Sequence, residues 1–335
     1  MTSRLPSDLL ARPAEESSRL LALAYLDEIA RAETRLANPE DGEALHDFRV
    51  GLRRLRSCSR AYRLPLKGSV TRKVRRRLRT LTQATNAGRD AEVQLGWLRS
   101  RVDQVHPTDL QGLSWLIGRL EGRRFEMIHI ATDDVRRRFA KLAGKLRPRL
   151  GTFRMAIRTG PGQEQRSFGR VTGELIRAQV AEFAEDLKRM QGPGDVAGLH
   201  TTRISAKRLR YLLEPLARRT PGARSVVTQL KEVQDALGDL HDKHVITEEI
   251  ASTRLALSSI GTDRRAEIEP GLSTLERLAG DEAIATHSRF NALWGGEHAG
   301  RFILRVEKLA ASLAVPMHAR STQAVRHAAN VGLSG

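Results

Sequence analysis

His46, Arg49, Arg53, Arg56 and Arg60 recur at steps of three and four along the chain. On a helix turning by about 100° per residue, they fall within about 80° of one another. Phe48, Leu52, Leu55 and Cys58 occupy the neighbouring sector, which can pack into a core, while Arg54 points elsewhere. Each guanidinium is a planar fork that meets phosphate oxygens through two parallel hydrogen bonds. The chemistry this pattern suits is anion binding.

The pattern occurs twice. Leu45 to Arg56 (LHDFRVGLRRLR) matches Leu199 to Arg210 (LHTTRISAKRLR), and Leu81 to Val93 (LTQATNAGRDAEV) matches Val233 to Val245 (VQDALGDLHDKHV). Two motifs in the same order at nearly the same offset indicate an internal duplication. In the second copy His200, Arg203, Lys207 and Arg210 take the basic positions, Leu209 and Leu212 the apolar ones, and Arg208 corresponds to Arg54. The helix after the first motif adds Arg72, Lys73, Arg76 and Arg79, and Lys231 is a further candidate in the second copy. Arg89 and His241 are equivalent cations of the later motif, with Asp90 and Asp242 pairing or capping locally. If the two copies meet about a pseudo-twofold axis, their basic faces converge on one groove or pore. Such like charges repel until an anion occupies the space.

Two further histidine patterns carry weaker signals. A histidine on a helix is ordinarily a satisfied structural residue, yet His46 and His200 each open a basic stripe. A neutral imidazole can donate one N–H to phosphate, and a bound anion favours its protonated form. His241, His244 and Glu248 share a face, as carboxylate–histidine metal ligands do. The first copy has Arg89, Glu92 and Gly96 there, which argues against a metal. No catalytic residue, metal or cofactor is assigned.

Composition supports a polyanionic partner. The 335 residues carry 57 Lys plus Arg against 39 Asp plus Glu, a net charge of +18. Between Arg49 and Arg89 there is no acid at all. Solvated helix faces ordinarily interleave both signs, because opposite charges one turn apart stabilise and like charges cost. Aromatics are only 4% of the chain, so stacking platforms for bases are scarce. At 40% hydrophobic residues the chain buries a core rather than remaining disordered. No apolar run approaches the length of a bilayer span. Leu20 to Leu26 is short and flanked by Glu15, Glu16, Asp27 and Glu28, unlike a secretory segment. A lone cysteine, Cys58, excludes an internal disulfide and a Cys-type zinc framework, and favours the cytoplasm.

The elements that must position these residues are helices nearly throughout. Ile176, Val180, Phe183, Leu187 and Met190 trace one helical face, and Leu113, Leu116, Ile117, Leu120, Arg124 and Met127 another. No period-two alternation calls for a sheet. Breakers at Pro65 and Gly68, His106-Pro107, Pro148, Gly160-Pro161, Gly192-Pro193-Gly194 and Pro221-Gly222 place helices at 16–37, 43–63, 69–104, 109–146, 168–190, 196–219, 223–257 and 264–313, the last with breaks. The expected fold is all-α, two pseudo-symmetric four-helix bundles: residues 1–150, a linker at 151–167, residues 168–313, and a tail at 314–335 whose His318, Arg320 and Arg326 either extend the basic surface or dangle.

His46 to Arg56, His200 to Arg210, and Gly88 to Val93 resemble the motifs of the CHAD family, and the resemblance spans roughly residues 15 to 313. It implies two four-helix bundles about a basic central channel that binds inorganic polyphosphate, with association to polyphosphate granules. On that implication the binding residues are His46, Arg49, Arg53, Arg54, Arg56, His200, Arg203, Lys207, Arg208 and Arg210. The second copy carries acids such as Glu214, Glu232, Asp235 and Asp239, so binding should lean toward the first. Some relatives add a triphosphatase domain with an E-x-E-x-K strand. Here Glu267-Ile-Glu269 is followed by Pro270 and Gly271, so that domain is not expected. The reading is a non-catalytic polyphosphate binder. Nucleic acid is the second partner considered, insertion into a membrane is not expected, and oligomeric state is left open.

Overall fold

A computed structural model describes residues 5–38, 41–85, 87–152, 166–258 and 261–314, and within them all side chains except those of 87–90 and 124–133. Most of the 151–167 linker, the tail from 315 with His318, Arg320 and Arg326, and the side chains of Arg89, Asp90, Arg124 and Met127 lie outside the described residues.

Among the described residues the fold is all-α. The helices are α1 (Ala14–Arg35), α2 (Gly42–Ala61), α3 (Arg72–Ala84), α4 (Ala87–Arg99), α5 (Leu110–Gly151), α6 (Phe168–Arg189), α7 (Val196–Leu213), α8 (Ala223–Leu257), α9 (Thr262–Trp294) and α10 (Gly296–Ala314). An isolated bridge of β type pairs Pro13 with Ser167. Both motif helices begin the same way. The Asp41 carboxylate accepts from the Ala44 amide at the start of α2, and Asp195 accepts from the Gly198 amide at the start of α7. Each Asp stands five residues before its histidine, satisfying amides that the first helical turn leaves unbonded.

Three boundaries differ from the expected ones, and the break expected within 264–313 is located. The single helix expected over 69–104 divides into α3 and α4, and beside the division the Thr85 carbonyl accepts from the Arg49 side chain (Nε to O, 2.7 Å). The Thr85 hydroxyl also turns back onto the Thr82 carbonyl at 2.9 Å. Helix 264–313 breaks at Gly295-Gly296, where Gly296 adopts φ +54°, a left-handed conformation that favours glycine. The helix expected to end at 146 continues past Pro148 to Gly151. That expected over 196–219 leaves the α conformation at Leu213 and continues as a short 3-10 turn through Pro215.

Two hydrophobic cores organise the helices. The larger joins residues from α1, α2, α3, the second part of α5, α6, α7, the first part of α8, the end of α9 and α10. Phe48 of α2 meets Phe139 of α5 edge-on at 5.4 Å, and Tyr62, just past α2, stacks on Phe168 of α6 at 4.9 Å. The smaller gathers α4, the first part of α5, the later part of α8 and the first part of α9. Each core mixes residues from before and after the linker, because the long helices α5, α8 and α9 run through both. Around the larger core α1, α2, α3 and α5 close on one another, as do α6, α7, α8 and α10. Contacts of α2 with α7 and of α1 with α6 join the two groups.

Candidate anion-binding face

Helices α2 and α7 each bury one side in the larger core and lie against each other. That contact brings cations from the two sequence motifs into one another's field. Lys207 of α7 is half-buried, and its ammonium is held down to about 7 by burial and then by Arg203, Arg53 and Arg210, against the pull of Asp242. Arg53 belongs to α2, so this group of charges spans both motifs. Its Nε donates to the Arg49 carbonyl at 3.3 Å, and no carboxylate among the described residues lies within ion-pair distance of it.

The histidines of the second motifs join the same group. The rings of His200 on α7 and His241 on α8 stand 6.1 Å apart. Burial, then Arg203, His200, Lys207 and His244, hold His241 down to about 4, so it is neutral at physiological pH. Burial, Arg203 and Lys207 lower His200 in the same direction. The buried Nε2 of His244 meets no hydrogen-bond partner. Among the described residues no group of three His, Cys, Asp or Glu is placed to hold a metal ion.

A second group flanks the first. Partial desolvation, Arg79 of α3 and Arg208 of α7 disfavour the charged form of Arg56. Desolvation, Arg208 and Arg56 act likewise on Arg60, opposed by Glu182. Arg56, Arg60 and Arg79 are exposed and reach no carboxylate among the described residues. Three helices thus supply cations to these groups, α2 and α7 to both and α3 to the second.

The CHAD domain profile matches residues 21–251, which include both motif helices. The chain belongs to the CHAD domain family. Its fold is similar to the crystal structure of the CHAD domain from the plant Ricinus communis, with a TM-score of 0.66 at 22% identity over 86% of this chain and 93% of that one. It is also similar to PptA from Streptomyces chartreusis, with a TM-score of 0.58 at 16% identity over 85% of this chain and all of that one. At these identities the likeness is one of fold. No curated protein sequence matches the chain.

Within this CHAD fold the sequence-predicted cations divide by their partners. Arg49 is 7% exposed, bonded to Thr85 as above and 3.7 Å from Glu92, so it ties α2 to the end of α3. Arg54 is held by Glu214 at 2.9 Å and Glu28 at 3.3 Å. Arg208 pairs with Glu182 at 2.5 Å, and Arg210 lies 3.4 Å from Glu214 while stacking on Tyr211. His46, Arg72, Lys73, Arg76 and Lys231 are exposed. Of these, His46 opens α2 and Lys231 lies on α8, while Arg72, Lys73 and Arg76 stand on α3, which contains no acid. Sequence reasoning did not find Glu28, Glu182 and Glu214 as neutralisers, nor Thr85 as the acceptor for Arg49. No local signal marks Glu214 as the partner of Arg54, since it lies 160 positions away. Glu267 and Glu269 lie in α9, a helix, where Glu269 takes Arg254 at 2.7 Å.

Proposed function

We propose that this CHAD protein binds inorganic polyphosphate without catalysing a reaction on it. One observation carries the reading: on α2, α3 and α7, Arg53, Arg203 and Lys207 form one group of mutually opposing cations and Arg56, Arg60 and Arg79 another, with Asp242 and Glu182 as the acids that act on them. Crowded cations cost free energy in the unligated protein. A chain bearing one or more negative charges on every unit relieves that cost along its whole length, which a single small anion cannot do. Arg49 and Arg54, already bonded within the protein, hold the face in place. His200, His241 and Arg203 line its second-motif end, with Arg208 and Arg210 between pairing acids and the chain.

The matching Asp-capped starts of α2 and α7 support reading residues 1–150 and 168–313 as two copies of one unit, joined by 151–167 and followed by a tail from 314. On that reading the face lies along the central axis between the copies, and the first copy dominates because the acids concentrate in the second. Binding of this kind suits attachment to polyphosphate granules in the cytoplasm. No helix among the described residues is long and apolar enough to cross a membrane.

The test is a triple variant, Arg53→Glu, Arg56→Glu and Lys207→Glu, titrated against polyphosphate beside the parent. Retention should fall by about a thousandfold or more, three lost charge-assisted contacts at roughly 1.5 kcal/mol or more each, with helical circular dichroism unchanged. Equal binding by parent and variant would reject the site. Nucleic acid is separated by competition: if duplex or single strands displace polyphosphate at equal phosphate concentration, the partner is nucleic acid instead.

A further inference from the structure

A second band of cations runs over the outside of the molecule, on the seam between α3 and α5. Residues 72–84 and 135–151 contain no Asp or Glu. Val74, Leu78 and Leu81 set the inner side of α3. At about 100° per residue, Arg79 lies on the flank nearest Arg56 of α2, and Lys73 and Arg77 lie on the opposite flank. Arg76 stands between them on the outer face. On α5, Val135, Phe139, Leu142 and Leu146 are buried. Arg136 and Arg147 occupy one flank, where they reach Glu33 at 3.0 Å and Asp27 at 2.6 Å on α1. Arg138, Lys145 and Arg149 occupy the other. This part of α5 has α1 and α3 as its neighbours, so the second flank faces the α3 seam.

Lys73, Arg77, Arg138, Lys145 and Arg149 are all exposed. Only Arg138 has a carboxylate partner, Asp134 at 2.5 Å, and the other four meet none within ion-pair distance among the described residues. Along α5 the row from Arg138 to Arg149 is about 17 Å long. Solvated helix faces elsewhere in this molecule carry paired charges, as at Arg170 with Glu174 and Arg277 with Asp281. The seam does not.

We propose that the α3–α5 seam is a second binding stripe for a linear phosphate polymer, reached from the α2–α7 face around α3 by way of Arg79 and Arg76. The inference rests on the function proposed above and extends it. Long chains engage both stripes, whereas short chains occupy the first alone. Each phosphate neutralised adds to the salt dependence of binding, so the two lengths should differ in slope as well as affinity.

The experiment compares the parent with Lys73→Ala, Arg77→Ala, Lys145→Ala and Arg149→Ala combined, titrated with a short defined oligophosphate and with long-chain polyphosphate over a range of salt. Alanine suits exposed helical positions, and melting temperature checks the fold. A second variant, Lys73→Glu with Lys145→Glu, repeats the test with charge reversed. The expected result is a loss of about tenfold or more for the long chain, a shallower salt slope for it, and unchanged binding of the short one. Equal long-chain affinity and slope in parent and variants overturns the seam, as does an equal loss for both lengths. If the parent binds neither chain, the proposed function fails and the seam with it.

Discussion

Lys207 is the residue on which pH should act. Its value of about 7 lies below the ordinary lysine value of 10.5, because burial and three guanidiniums oppose its charge. Between those values the unfolded chain binds a proton that the native protein does not, so native stability rises with pH across the window and is lost as pH falls toward 7. Lys207→Met should flatten that slope in thermal melts and raise the melting temperature of the unligated protein at pH 7. The same change should weaken polyphosphate binding by about tenfold, one charge-assisted contact of roughly 1.5 kcal/mol. Bound phosphate reverses the local balance, so binding near pH 8 should take up a proton. Calorimetry in two buffers of unequal ionisation enthalpy measures it, and identical heats would contradict the assignment. Cys58 plays no such part, since burial pushes its thiol well above the usual range.

At the scale of elements, positioning depends on helices that approach more closely than side chains normally permit. Helices α5 and α9 cross at Gly112 and Gly271, where a Cβ on Gly112 would stand 2.4 Å from the Ile268 carbonyl and 2.8 Å from the Gly271 Cα. Both contacts are backbone and cannot swing aside. Gly112→Ala should therefore cost about 1–3 kcal/mol, as overpacking does, read as a lower melting temperature. The crossing belongs to the smaller core, away from α2 and α7, so polyphosphate affinity below the melt should not change. Glycine 112 and Gly271 are visible in the sequence as helix-weakening residues, but their meeting across 159 positions is not. The break at Gly295-Gly296 was legible for the same reason that the α3–α4 break was not. A glycine pair is a local signal, whereas the Arg49 side chain that bonds the Thr85 carbonyl beside the α3–α4 division comes from 36 residues away.

For the whole molecule, a charge of +18 with cations gathered in clusters makes stability and binding two readings of one electrostatic balance. A ligand that binds only the native protein stabilises it by about 2.7 kcal/mol at a hundredfold excess over Kd, worth several degrees of melting temperature at this size. Polyphosphate should give that increase at low salt and progressively less as salt is raised. An increase that survives high salt unchanged would point to contacts other than phosphate neutralisation.

The all-α class, most helix positions, the paired basic motifs and the family resemblance were all determined by the sequence alone, because helical periodicity and motif spacing are local properties. Tertiary structure decided which arginines keep their charge available. Arg54 points off the basic stripe in the sequence, but the partners it turns to, Glu28 and Glu214, appear only in the fold, as does the approach of Arg53 to Lys207. The physical reason is that Coulomb attraction falls with distance through space, and the carboxylates that cancel a cation arrive on other helices at separations that no periodicity records.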